Sequence, residues 1–157
     1  MKDKNLSYFM REDLKNEDIV EMPGPGSIQD ENGNPVMFQI KRLRRERVDK
    51  IYDHYRALKP ALDKNKKPYV MDGKLVMKEE KDYAKALRHV MAEALVYPDL
   101  HNEELMKFYD CIDVTEMPVK VFTQKEYSEV IKMLNHVLGI DDEDEEEQKD
   151  DLESAKN

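Results

Sequence analysis

The chain has 157 residues and a net charge of −9, which is enough polypeptide for one domain with a real hydrophobic core. Residues 141–157 hold ten acidic side chains against two lysines, so −8 of the charge lies there. This acidity argues against nucleic-acid binding as the main activity. The single Cys111 excludes an internal disulfide, and no apolar run approaches the roughly 18 residues of a membrane helix. We therefore expect a reducing cytoplasm and no membrane contact.

The first predicted element is an N-terminal arm, residues 1–18, with an apolar cluster near its start. We expect a short helix or an extended arm with one apolar side, because charged residues follow the cluster immediately. That side either packs onto the body or forms a partner-binding surface. The candidate residues are Leu6, Tyr8, Phe9 and Met10.

A β-hairpin is predicted over residues 19–42. Residues 19–22 favour a strand that ends at a Pro-Gly-Pro-Gly run, since prolines remove ladder donors and glycines permit turns. A turn cluster at residues 30–35 precedes the β-favouring residues 36–40. The glycines have neither the spacing nor the following Lys-Ser/Thr of a phosphate-binding loop.

Two helices and a second hairpin are predicted next. Apolar residues at helical spacing predict a helix from about Arg44 to Leu58, stopped by Pro60. The Asp72-Gly73 pair between short apolar runs is typical of a tight hairpin over residues 68–77. The longest helix is then expected from about 78 to 96, with a broad apolar stripe.

The remaining elements are bounded by prolines and capping residues. Tyr97-Pro98 ends the long helix, because a residue before proline avoids the α region. Asp99 or Asn102 can cap a short helix that runs to residue 109, and Asp113 or Thr115 can cap a further turn before a proline interrupts it. Residues 123–126 match a capping box for a final helix that ends at a glycine, residue 139.

These elements predict an α+β fold that is predominantly helical: a compact helical domain with one or two small β-hairpins. We expect residues 1–140 to form this domain. Residues 141–157 are expected to be an acidic, disordered tail, because like charges repel and apolar side chains are scarce.

The sequence contains no recognisable catalytic, cofactor-binding or metal-binding motif. Its four histidines are far apart, and none belongs to a His-Glu-x-x-His or Cys/His zinc pattern. Cys111 has no local nucleophile signature, so we expect a small, half-buried side chain, although a spatial Cys-His pair stays open. We expect a protein that is not an enzyme.

A basic segment, residues 41–67, carries eleven bases and four acids, a local charge of +7. Such a segment is usually a solvated helix face and loop. The sharper hypothesis is that it meets an acidic surface, such as the protein's own acidic tail. A minor alternative is nucleic-acid binding through the same residues.

Ten methionines in a chain without tryptophan are the last unusual feature. Methionine suits adaptable apolar surfaces, but it also fills gaps in cores. Met91 lies on the predicted stripe of the long helix and is expected to be buried. Met133 lies beside the stripe of the last helix, so we expect it to be exposed and a candidate for partner binding.

Five blocks of sequence resemble the XkdN-like phage tail assembly chaperones over roughly residues 6–140. They are Leu-Ser-Tyr-Phe-Met-Arg-Glu-Asp (6–13), Val-Glu-Met-Pro-Gly (20–24), Pro-Val-Met-Phe-Gln-Ile-Lys-Arg-Leu (35–43), Ala-Leu-Val-Tyr-Pro-Asp-Leu (94–100) and Asp-Val-Thr-Glu-Met-Pro (113–118).

The resemblance implies a phage or prophage protein that acts in the host bacterial cytoplasm and is absent from the finished tail. It also implies binding to the tape measure protein and help in recruiting tail tube subunits. We expect the client in an apolar groove near the last helix or on the N-terminal arm. The alternative is a structural tail or baseplate-associated component that stays in the particle.

Overall fold

A computed structural model describes residues 4–140. Five α-helices lie in this range: α1 (Arg45–His54), α2 (Tyr83–Ala94), α3 (Glu103–Phe108), α4 (Met117–Val121) and α5 (Gln124–Leu138). The strands there are β1 (Ile19–Pro23), β2 (Met37–Lys41), β3 (Arg56–Pro60), β4 (Val70–Met71), β5 (Lys74–Leu75), β6 (Met77–Lys81) and β7 (Leu95–Tyr97). Short 3-10 helices span Leu6–Phe9, Glu12–Lys15 and Val114–Glu116. The predicted disorder of residues 141–157 lies outside the described residues.

A three-stranded antiparallel sheet has the order β1-β2-β7. Strands β1 and β2 pair from Ile19 opposite Lys41 to Pro23 opposite Met37, which confirms the predicted hairpin. Strand β7 was not predicted, because residues 95–97 continue the apolar pattern of the helix before them. The alternation of β2 places Phe38 and Ile40 on the buried face, where they join the core.

The second β unit, here called the ribbon, comprises residues 56–81: a two-stranded stem that carries two short turns of chain at its far end. Strands β3 and β6 pair antiparallel from Arg56 opposite Lys81 to Pro60 opposite Met77. Strands β4 and β5 form the predicted Asp-Gly hairpin near its far end, with Asp72 and Gly73 both at positive φ. No residue of the ribbon is buried.

The ribbon corrects two predicted helix boundaries. The helix expected to reach Leu58 ends at His54, and the helix expected from residue 78 begins at Tyr83. Residues 56–60 and 77–81 pair with each other instead, a choice between distant segments that a local apolar pattern does not record. The structure thus contains more β structure than the predicted one or two hairpins, within an α+β fold.

Most of the predicted helix ends are confirmed. The Asn102 side chain caps α3, and Asp113 caps the 3-10 helix that follows. The capping box of α5 is formed in both directions by Thr123 and Glu126, and Gly139 ends the helix in the left-handed conformation. Pro118 differs from expectation: it lies in the first turn of α4, where no intrahelical N–H is required, and so begins a helix rather than interrupting one.

The hydrophobic core lies where α2 and α5 pack against β2 and against α4. Its largest fully buried side chains include Phe38, Met91, Leu100 and Met117, and the predicted burial of Met91 is confirmed. Phe38 also packs against Phe122, with ring centroids 6.0 Å apart. All five buried residues of α2 belong to this core, and α2 also packs against α1, whose Ile51 is buried in the same core.

Candidate binding groove

An open groove of about 680 Å³ lies between α1, α2 and the C-terminal end of α5. Its base consists of Leu43, Val90 and Leu134, which are buried in the core. Its walls are half-buried apolar and aromatic side chains, a composition typical of sites that accept an apolar ligand. The wall residues are Val48, Tyr52, Tyr83, Leu87, Leu138 and Ile140.

Each wall follows from local sequence. On α1, Val48 and Tyr52 are four residues apart and therefore lie on one helix face. On α2, Tyr83 and Leu87 repeat that spacing, one turn after the Asp82 side chain caps the helix. The α5 wall ends at Leu138 because Gly139 turns the chain, which places Ile140 at the rim.

Charged groups at the groove rim are paired with neighbours. Arg45 Nε lies 3.9 Å from the Asp49 carboxylate, and Lys81 Nζ lies 3.0 Å from that of Asp53. Burial raises the pKa of Tyr52 to about 12, so its hydroxyl stays neutral at physiological pH. The groove therefore has a mixed lining: apolar and aromatic side chains form its walls, and polar groups, including the paired charges at its rim, contribute about half of its accessible surface.

Beside the groove, an ion-pair network joins α1 to α2. The Arg47 guanidinium donates two hydrogen bonds to the Glu93 carboxylate, and this contact holds the pKa of Glu93 below its usual value. His89 Nε2 lies 3.6 Å from Glu93, and its Nδ1 lies 2.6 Å from the Tyr55 hydroxyl. Burial lowers the pKa of His89. The carboxylate is already engaged by arginine, so the network positions the two helices of the groove.

Other potentially reactive groups also have structural partners. Cys111 is half-buried, as predicted, and its thiol donates a hydrogen bond to the carbonyl oxygen of Asp113 at 3.0 Å. Between residues 4 and 140, no cluster of His, Cys, Asp and Glu side chains could hold a metal ion. In the same range no helix is long and apolar enough to cross a membrane.

The N-terminal arm presents its apolar candidates to solvent. The exposed fractions of Leu6, Tyr8, Phe9 and Met10 lie between 67% and 78%. Arg42 anchors the arm by donating to the carbonyl oxygens of Asp13 and Asn16 and by pairing with Asp18, while the apolar cluster stays off the body. The structure therefore does not show the first of the two predicted alternatives, in which the apolar side of the arm packs onto the body.

The prediction that Met133 is exposed is wrong. Only 9% of this residue is accessible, and it belongs to the core. Helix α5 contacts α2, α4 and β2 together, so its buried arc is wider than a single stripe and includes the position beside it. The client groove expected near the last helix has walls that the sequence did not specify, because an apolar pattern does not distinguish a covered helix face from an open one.

The comparisons with known proteins decide the family. The model of the phage XkdN-like tail assembly chaperone proteins matches residues 6–153. The chain belongs to this family. The match begins in the N-terminal arm and covers most of the acidic segment, so it reaches further than the resemblance recognised from the sequence blocks. Membership implies partners among phage tail proteins.

The chain is also similar to the protein YqbN of Bacillus subtilis (strain 168). The two sequences are 26% identical over 152 residues, which cover 96% of this chain and 91% of YqbN. A crystal structure of a protein YqbN is also similar, with a TM-score of 0.61, 23% identity and coverage of 89% of this chain and 100% of that one. At this identity the structural likeness supports the fold alone.

Proposed function

We propose that this family member binds an amphipathic helical segment of the tape measure protein in the groove between α1, α2 and α5. The observation that carries the proposal is the open groove itself, whose walls are apolar and only half-buried. A helix that lays its apolar face into such a groove is a common mode of recognition. Binding in the host bacterial cytoplasm would keep the client's apolar face from aggregating before the tail assembles.

A second surface serves a second partner. The arm cluster, defined as Leu6, Tyr8, Phe9 and Met10, is exposed and shares no residue with the groove. Recruitment of tail tube subunits to a bound client requires two separate contacts, and we assign the tube subunit to the arm cluster. Large exposed apolar side chains on a soluble protein commonly mark such contacts.

Co-expression of the full chain with the tape measure protein, followed by pull-down at low salt, tests the groove. Val48→Asp should remove most of the captured client, because a carboxylate in an apolar groove is desolvated without a partner. The matched control is Val119→Asp, an exposed helical valine on α4 that does not line the groove. Thermal denaturation establishes that both variants are folded, and Val48→Ser provides a milder change. Equal capture by wild type and both groove variants would contradict the proposal.

The arm is tested in the same format with the tail tube protein as prey. Phe9→Ser combined with Leu6→Ser should reduce capture of the tube protein and leave capture of the tape measure protein unchanged. The matched control replaces Phe108 and Ile112 by serine, since these are apolar residues elsewhere on the surface that are about as exposed as the arm residues or more so. If both partners are lost together from the arm variant, the two surfaces are not independent.

The competing function is a structural tail or baseplate-associated component that stays in the particle. The exposed arm cluster is also compatible with a structural component, because permanent interfaces require large apolar contacts as well. Quantitative mass spectrometry of purified particles separates the two functions. A chaperone should be missing or strongly substoichiometric, whereas a structural component should be present in a fixed ratio to the tube protein.

A further inference from the structure

The ribbon, residues 56–81, is a cationic surface that the core does not use. It carries eight bases and four acids, a net charge of +4. None of its residues is buried, and none belongs to the core cluster or to the partly buried residues packed against it. Its position on the surface is therefore not explained by packing.

Several of the ribbon's positive charges have no partner within residues 4–140. Arg56, Lys64, Lys66, Lys67 and Lys74 form no ion pair with any residue in that range. The turn at residues 63–67 gathers three of these lysines, and the Asp63 carboxylate there accepts hydrogen bonds from the backbone N–H groups of Asn65 and Lys67. This acid orders the turn while the lysine side chains remain exposed.

The basic segment identified in the sequence divides into two parts of different character. Between residues 41 and 55, Arg42 pairs with Asp18, Arg45 with Asp49 and Arg47 with Glu93. Between residues 56 and 67, the ion pairs of the described residues involve Lys59 alone. More of the positive charge is therefore unpaired on the ribbon than on α1 or at the groove rim, so an acidic partner is attracted more strongly to the ribbon.

The described part of the chain ends near the base of this ribbon, at Ile140. Ile140, the residue before the acidic segment, lines the same groove as Lys81, the last residue of the ribbon. Seventeen residues span at most about 60 Å when extended. The paired stem of the ribbon has five residues per strand and is about 17 Å long at about 3.3 Å per residue, and the lysine turn begins three residues beyond Pro60. Residues 141–157 can therefore reach the lysine turn from their attachment point.

We propose that residues 141–157 dock along the ribbon of the same chain, with their carboxylates on the lysines of the 63–67 turn and on Lys74. The charges of −8 and +4 are complementary. A docked acidic segment lowers the positive potential of the ribbon and obstructs its open strand edges, which would otherwise be available to pair with another chain. The proposal concerns the free protein and does not depend on tape measure binding.

Paramagnetic relaxation enhancement in the full chain tests this contact. Cys111→Ser removes the native thiol, and Glu147→Cys accepts a nitroxide label. At 20 mM NaCl the backbone amides of residues 62–75 should broaden strongly, while those of α3 and α4 should not. At 1 M NaCl the broadening should disappear, since the Debye length falls to about 3 Å.

Two charge variants locate the contact. Lys64→Gln, Lys67→Gln and Lys74→Gln together should abolish the broadening at low salt, whereas the matched triple Arg44→Gln, Lys50→Gln and Lys132→Gln should preserve it. All six side chains are exposed, so both triples should remain folded. Broadening confined to α1 or to the groove, or insensitive to the ribbon triple, would overturn the proposal.

A mixed sample distinguishes contact within one chain from contact between copies. Isotope-labelled chain without nitroxide is mixed with unlabelled chain that carries it. Docking within one chain predicts no broadening of the isotope-labelled ribbon. Broadening equal to that of the singly prepared sample would assign the contact to a second copy and overturn the intramolecular proposal.

Discussion

Helix α5 and the ribbon are both rich in apolar residues, yet only the helix buries them. Val130, Leu134 and Val137 of α5 are buried against neighbouring elements, whereas Leu58 and Met77 of the ribbon are exposed. The ribbon is held by its cross-strand ladder and by ion pairs such as Lys59 with Glu80. The two regions are therefore stabilised differently: burial of apolar side chains holds α5 in place, whereas cross-strand pairing holds the ribbon.

The largest expected effect is a difference in the free energy of unfolding when one leucine of each region is replaced by alanine. Leu134→Ala should lower the free energy of unfolding by about 2–5 kcal/mol, because it leaves a cavity in the core. Leu58→Ala should change it by less than about 0.5 kcal/mol, since this side chain is 70% exposed. Urea denaturation followed by circular dichroism measures both. Equal costs would show that the ribbon packs against the body in solution.

A smaller effect is expected where the sheet joins the core. A Cβ atom added at Gly24 would lie 2.5 Å from Cε1 of Phe38 and 2.9 Å from the carbonyl oxygen of Val36. Gly24→Ala should therefore destabilise the protein by about 1–3 kcal/mol through overpacking. Gly26→Ala is the matched control, because no heavy atom lies within 4 Å of its added Cβ. If denaturation midpoints of the two variants coincide, the close approach of Gly24 to Phe38 is not present in solution.

The capping box of α5 should contribute about 1 kcal/mol. Thr123→Ala removes the hydroxyl that accepts from the backbone N–H of Glu126, and a lost cap of this kind typically costs about 0.5–2 kcal/mol. Ser128→Ala, on an exposed position of the same helix, should cost less than about 0.5 kcal/mol. Chemical denaturation compares them. A Thr123→Ala variant as stable as Ser128→Ala would mean that packing alone fixes the start of α5.

The smallest effect is the pH dependence of the network between α1 and α2. The folded pKa of His89 lies below its usual 6.5, so the unfolded chain takes up this proton first and stability falls as the pH drops below about 6.5. The folded pKa of Glu93 lies below its usual 4.5, so its contribution is present above that pH and is lost in stronger acid. Denaturation midpoints between pH 7.5 and pH 5 should decline less in His89→Gln than in wild type. An unchanged slope would show that His89 does not contribute to the pH dependence of stability.

Local chemistry explains why some elements could be predicted. The Thr123 and Glu126 pair, the Asn102 cap and the Asp72-Gly73 turn each satisfy their own backbone groups within a few residues. Such signals depend little on the rest of the fold. The exposed arm was also identified as a candidate surface from its sequence, although the same residues were compatible with packing onto the body.

The groove and the ribbon could not be predicted in the same way. The pairing of residues 56–60 with 77–81 joins two segments that were largely predicted to extend the adjacent helices, and nothing in either segment alone indicates its partner. Val48 and Leu87 follow helical spacing whether a neighbour covers them or not. Met133 was mispredicted in the opposite direction. Because α5 contacts α2, α4 and β2, its buried surface is wider than the apolar stripe and covers a position that was expected to be exposed.

The amino-acid sequence alone indicated the family, the α+β character and the capped ends of α3 and α5, because family blocks, caps and turns are encoded in short contiguous stretches. Which apolar faces are covered and which stay open became known from the packing of the folded chain. That decision depends on which distant elements pack together, as in the burial of Met133 and the exposure of the groove walls. The candidate binding surface is thus a property of the packed helices rather than of any one of them.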